Sequence, residues 1–143
     1  MAQINSKKVP SRFQPVLEAN SLVAYTTHII ANPKYFNEEM QKTIIPIVIQ
    51  ISINIADYVN NANAISVRKS LSEENLKKNY KYRIDLEGKA IEQCYMLKSK
   101  INILHMGFHL VGHKARAWNE RVDKVIHSLQ VWRGSEVEKF KEL

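Results

Sequence analysis

His105, His109 and His113 recur at every fourth position, a spacing that brings side chains onto one face of a helix. A protein zinc site needs three or four such ligands with a fixed outer shell. Gly107 and Gly112 fall among these histidines, where regular helix is least secure, and no carboxylate or cysteine stands near them. The segment therefore reads as a polar connection, and no metal or other cofactor is expected. Cys94, the only cysteine, lies on the apolar face of a helical pattern and reads as a small buried hydrophobe rather than a nucleophile. Asp85 and Glu87 are two apart and would diverge on a helix, which argues against an acid–base pair. P-loop, G-x-S-x-G, H-E-x-x-H and EF-hand patterns are absent. Catalysis is not expected of this chain.

The basic residues carry a more coherent chemistry. Lys77, Lys78, Lys81 and Lys89 alternate with Tyr80, Tyr82 and Arg83, and a second group comprises Lys114, Arg116, Arg121 and Lys124. Lysine and arginine can contact phosphates, and tyrosine can stack on unpaired bases. The candidate nucleic-acid-binding residues are therefore Lys77, Lys78, Lys81, Tyr82, Arg83, Lys89, Lys114, Arg116, Arg121 and Lys124. The competing account is a solvated face with local ion pairs, Glu74 with Lys78 and Glu120 with Lys124.

Charge across the whole chain is compatible with a polyanionic partner. Lysine and arginine exceed the acids by 21 to 14, a net +7 in 143 residues. The excess is spread, at +2 for residues 1–32, +1 for 33–69, +2 for 70–106 and +2 for 107–143. Such a surface favours nucleic acid or an acidic protein through general electrostatics. Apolar residues make up 45%, enough for one domain with its own core and no disulfide. The lone cysteine fits a reducing compartment. No apolar run approaches the roughly 18 residues of a membrane span. The N-terminus lacks the apolar segment of a secretory signal, so a cytoplasmic protein is expected. Residues 1–14 are polar and basic and read as a flexible arm ahead of a single domain, 15–143.

The elements that must position these side chains follow from periodicity. Residues 44–63, IIPIVIQISINIADYVNNAN, alternate like a strand from Ile47 to Ile55. Gln50, Asn54, Asp57 and Asn61, however, form one helical polar stripe. The stretch exceeds the usual 3–10 residues of a strand, has no second alternating run to pair with, and sits in a chain with only four glycines. Helix is the better reading. Pro46 must then lie in the first turn of a helix that starts near Thr43, or kink one that starts at Asn37. Asn37, Glu38 and Glu39 make a good N-cap and acidic first turn, so the long kinked helix is favoured. Its apolar residues cover nearly the whole circumference, which points to contact with a second subunit.

A first helix is expected over 15–31, with Val16, Ala19, Leu22, Val23, Thr26, Ile29 and Ile30 inward. A third opens at Ser70, with Glu73 at capping-box spacing. Its stripe runs through Leu76, Tyr80, Arg83/Ile84, Glu87, Ala90/Ile91, Cys94, Leu97, Ile101 and Leu104, and its two charged members are the weak point. A fourth spans about 114–133, with Trp118, Val122, Val125, Ile126, Leu129 and Trp132 inward and Gly134 as its stop. Four helices on short connections make an antiparallel up-down four-helix bundle the expected all-α fold.

NPKYF after the first helix, NNAN ending the second, an arginine in the third and WRGSE in the last together resemble the accessory variability determinant proteins of diversity-generating retroelements. These are small basic bundles, related to proteins encoded in intervening sequences of bacterial 23S ribosomal RNA. The resemblance spans roughly residues 20–140. It implies a non-catalytic partner of a reverse transcriptase that forms a ring-like homopentamer, binds RNA or DNA and supports mutagenic copying of a template RNA. It also makes Asn32, Pro33, Tyr35 and Phe36 the turn after helix one, has Ala62 and Asn63 close helix two, and has Trp132 and Arg133 close helix four. The chain departs from that pattern at its acidic Asn37–Glu39 corner and at Pro46. Two rival readings are a ribosomal-RNA-associated bundle without a polymerase and a protein-binding scaffold.

Overall fold

The computed structural model describes residues 13–143. Residues 1–12 of the expected arm lie outside them, and its last two, Phe13 and Gln14, already belong to a helix. The described residues form five α-helices: α1 Phe13–Ile30, α2 Glu38–Lys42, α3 Ile45–Ala64, α4 Glu73–Gly107 and α5 Gly112–Lys141. None is long and apolar enough to cross a membrane.

Asn32 organises the turn after α1. Its carbonyl accepts from the N–H of Tyr35 (3.2 Å) and Phe36 (3.1 Å), and its side chain accepts from Lys34 N–H (3.0 Å). Gln41 then donates back to the Ile30 carbonyl at 2.7 Å, closing the helix end. The expected single kinked helix over 37–64 is instead two helices. Asn37 caps α2 by accepting from Met40 N–H at 2.9 Å, the chain breaks at Thr43 and Ile44, and Pro46 falls in the first turn of α3. A proline there loses no hydrogen bond, because the first turn's N–H groups have no helical partner. Inside one long helix it would have clashed with the carbonyl of Lys42.

Most of the polar stripe of α3 faces water. Gln50, Asp57 and Asn61 are exposed, and Asn54 reaches α4 by donating to Gln93 Oε1 at 3.2 Å. The cap of α4 lies two residues later than expected, for Ser72 rather than Ser70 accepts from Asn75 N–H at 3.2 Å. Ser72→Ala is therefore expected to cost about 1 kcal/mol in urea unfolding. Ser70→Ala should stay within about 0.5 kcal/mol, as exposed uncapped positions do.

Gly134 does not stop the last helix, which continues to Lys141. One helical glycine costs only about 1 kcal/mol, and the next turn is held by Glu136, which is buried in an ion pair with Arg83. Trp132 and Arg133 are consequently interior to α5 rather than its end.

α1 packs on α3 and α5, α3 on α4, α4 on α5, and short α2 on α3. Cross-links give the directions: Asn60 to Asn20, Trp118 to Thr26, Asn54 to Gln93, and Arg83 to Glu136. Asn20, Trp118 and Arg83, early in their helices, meet Asn60, Thr26 and Glu136, late in theirs, and Arg83 also reaches Ile65 at the end of α3. The expected apolar stripes fill the core, with Leu22, Val48, Ile55, Val59, Leu97, Ile101, Leu104, Trp118, Val122 and Leu129 essentially inaccessible. Trp118 donates its indole N–H to Thr26 Oγ1 at 3.1 Å, and Phe36 meets it edge-on at 6.1 Å.

Candidate nucleic-acid interface

The charged positions that weakened the α4 stripe prove to be buried with a partner. Arg83 is 3% exposed. It donates to Glu136 through Nε (3.0 Å) and Nη2 (2.6 Å), and through Nη1 to the Ile65 carbonyl at 2.7 Å. Its guanidinium also lies 5.3 Å from the Trp132 ring centroid. One side chain thus ties α4 to α5 and to the chain leaving α3. Arg83 is withdrawn from the surface candidates, because a fully engaged, buried guanidinium has no face left for phosphate.

Glu87 completes this cluster. Neither carboxyl oxygen receives a hydrogen bond from an N–H or O–H donor among the described residues, and the group faces Glu136. Burial, and then the Glu136 carboxylate, push the Glu87 pKa up to about 10. Burial alone would also raise Glu136, but hydrogen bonds from Glu87 and Arg83 and the Arg83 charge outweigh it and leave Glu136 below its ordinary value. Burial and the neighbouring carboxylate thus favour the neutral form of Glu87, while Arg83 favours the ionised form of Glu136.

Above this anchor α4 and α5 form an open groove. Arg133 donates Nε–H to the Ile84 carbonyl at 3.1 Å and lies against the bare backbone of Gly88, with guanidinium atoms 3.4–3.7 Å from where a Cβ would stand. A groove of about 450 Å³ beside it is lined by Lys78, Lys81, Tyr82, Ile84, Asp85 and Arg133. Tyr82 is 58% exposed. Of the flanking cations, Lys77 pairs with Glu73 (3.6 Å) and Lys89 with Asp85 (3.4 Å). Lys78 and Lys81 have no ion pair among the described residues. The expected Glu74–Lys78 and Glu120–Lys124 pairs are not formed.

The second basic group is elsewhere. Lys98 pairs with Asp123 and Arg83 with Glu136. Lys81 and Arg121 therefore sit about 27 Å apart along the helix axes at 1.5 Å per residue. In this second region the protein's own cations already lie over the tyrosines. Lys114 and Lys34 stand 4.9 and 5.4 Å from the Tyr35 ring, and Arg121 stands 4.5 Å from that of Tyr25. Arg116 and Lys124 are exposed and have no ion pair among the described residues.

Arg133 lines the α4–α5 groove and is absent from the candidate residues that the sequence pattern supplies. The three histidines do not converge. His105 Nδ1 lies 2.6 Å from the Leu110 carbonyl, exposed His109 takes a left-handed φ of 63° in the α4–α5 connection, and His113 meets Tyr35 edge-on at 6.3 Å. No cluster of three or more His, Cys, Asp or Glu able to hold a metal occurs among the described residues. Cys94 is fully buried, and burial pushes its thiol up to about 12. In comparisons with protein-family models, curated proteins and solved structures, nothing matches this chain.

Proposed function

We propose that the chain is a non-catalytic nucleic-acid-binding protein, an antiparallel up-down four-helix bundle that works in the cytoplasm as the accessory partner of a reverse transcriptase. The observation that carries the binding is the α4–α5 groove, where two lysines without an ion pair among the described residues, Arg133 and an exposed tyrosine share one open surface. The polymerase partner, and template RNA or cDNA as ligand, rest on the resemblance to retroelement accessory proteins. Assembly into a homo-oligomer, a pentameric ring by that resemblance, would multiply +7 per chain into a dense positive field. Exposed Met96, Ile103 and Met106 on α4, at seven- and three-residue intervals on one face, offer an apolar seam for it. α3 exposes only Ile47 and Ile53 among its large apolar residues, less than the contact face expected of it.

The test is RNA and DNA binding by the purified protein across a salt series, with co-purification of a reverse transcriptase as a separate arm. Binding through several phosphates is expected to weaken at least tenfold between 50 and 200 mM salt. No retention at low salt would refute the reading. Retention without polymerase capture would leave a ribosomal-RNA-type bundle. A salt-insensitive protein partner would favour a scaffold.

A further inference from the structure

We propose that the α4–α5 groove takes single-stranded nucleic acid, with an unpaired base against Tyr82 and the adjoining phosphates on Lys78, Lys81 and Arg133. This rests on the nucleic-acid-binding reading above and adds a ligand class to it. A groove of about 450 Å³ falls in the size range of small-molecule sites, about 300–1,000 Å³, which is room enough for one nucleotide. Its walls mix apolar and cationic parts, namely the Tyr82 ring, the Ile84 side chain and the lysine stems. Its acid, Asp85, is already neutralised by Lys89 at 3.4 Å. Arg133 spends Nε on the Ile84 carbonyl, and its terminal N–H groups have no hydrogen-bond partner among the described residues.

The contrast within the molecule sharpens the assignment. In the second basic region the rings of Tyr25 and Tyr35 already have cations over them, so that surface offers charge with little room for stacking. Tyr82 has no such neighbour among the described residues and is 58% exposed. A duplex hides its base faces and presents mainly phosphate and groove edges, whereas a single strand can present both base and phosphate to one pocket.

The experiment is fluorescence anisotropy at fixed moderate salt, using a twelve-nucleotide unstructured RNA, its abasic counterpart and the corresponding duplex. The single strand is expected to bind at least tenfold more tightly than the duplex or the abasic strand. Tyr82→Ala should weaken it roughly 5- to 100-fold, the range of one lost base–aromatic stack, and leave the duplex within about twofold. Tyr82→Phe should retain binding, which separates loss of the ring from loss of the hydroxyl. Circular dichroism melts of both variants should match the parent, since the side chain is mostly outside the core. Equal effects of Tyr82→Ala on single strand and duplex, or no effect on either, would overturn the ligand class while leaving general nucleic-acid binding intact. Failure of every probe to bind would overturn both.

Discussion

Arg83→Met is expected to destabilise the protein by about 3–5 kcal/mol, because deleting one partner strands the other charge in the interior. Arg83 and Glu136 are both about 3% exposed and are joined by two hydrogen bonds. The substitution also orphans the Ile65 carbonyl, which Arg83 holds at 2.7 Å. In thermal melts the loss should read as a fall of roughly 10–20 °C for a chain of this size. Arg83→Met combined with Glu136→Leu should recover much of that fall, since a hydrophobic replacement of the whole pair leaves no unpaired charge. A single variant as stable as the parent would mean that the pair is solvated.

Glu87 sets the pH dependence. Its folded pKa of about 10 stands above the ordinary 4.5, so between those values the native state keeps a proton that the unfolded chain releases. Stability from this group is complete below 4.5 and is lost as pH rises toward 10. Glu136 acts with the opposite sign. Its depressed folded pKa gives stability above 4.5 that is lost as pH falls through the folded value. Maximum stability is therefore expected on the acid side of neutrality, with the melting temperature falling between pH 5 and pH 9. Glu87→Gln should flatten that fall, because an amide N–H donates to Glu136 without needing a titrating proton. At pH 9 the variant is expected to melt at least about 5 °C above the parent, a gap worth roughly 1–2 kcal/mol. A parent whose melting temperature is flat across this range, with Glu87→Gln less stable throughout, would show that Glu87 is ionised.

The helical period was legible wherever apolar residues recur every three or four positions, as in the Trp118–Trp132 and Cys94–Leu104 stripes. Even the ambiguous stretch around Ile51 resolved on length and glycine count. Boundaries were less legible because they turn on competition between local signals. Ser70 and Ser72 both precede acids, and only the three-dimensional end of α4 selects Ser72. Gly134 carries a stop signal that the Glu136 anchor overrides. Pro46 conflicts with one long helix from Asn37, and its resolution into two helices needs the break at Thr43 and Ile44. For the interface, residue type alone grouped buried Arg83 with exposed Lys81, since a stripe cannot tell a charge that finds a partner 53 residues away from one that faces water. The division of the cations into two regions was likewise invisible. It depends on α4 and α5 running antiparallel, which sends the basic first half of one away from the basic first half of the other.

Nucleic acid is expected to seat on the Lys78–Lys81 corner rather than on charge at large. Two double reversals test it, Lys78→Glu with Lys81→Glu against Arg116→Glu with Lys124→Glu. Each removes the same charge from exposed positions without an ion pair among the described residues. The first should cut RNA affinity more than tenfold and lower the salt slope by about two, while the second stays within about threefold of the parent. Equal losses from both pairs, or a larger loss from the second, would contradict it.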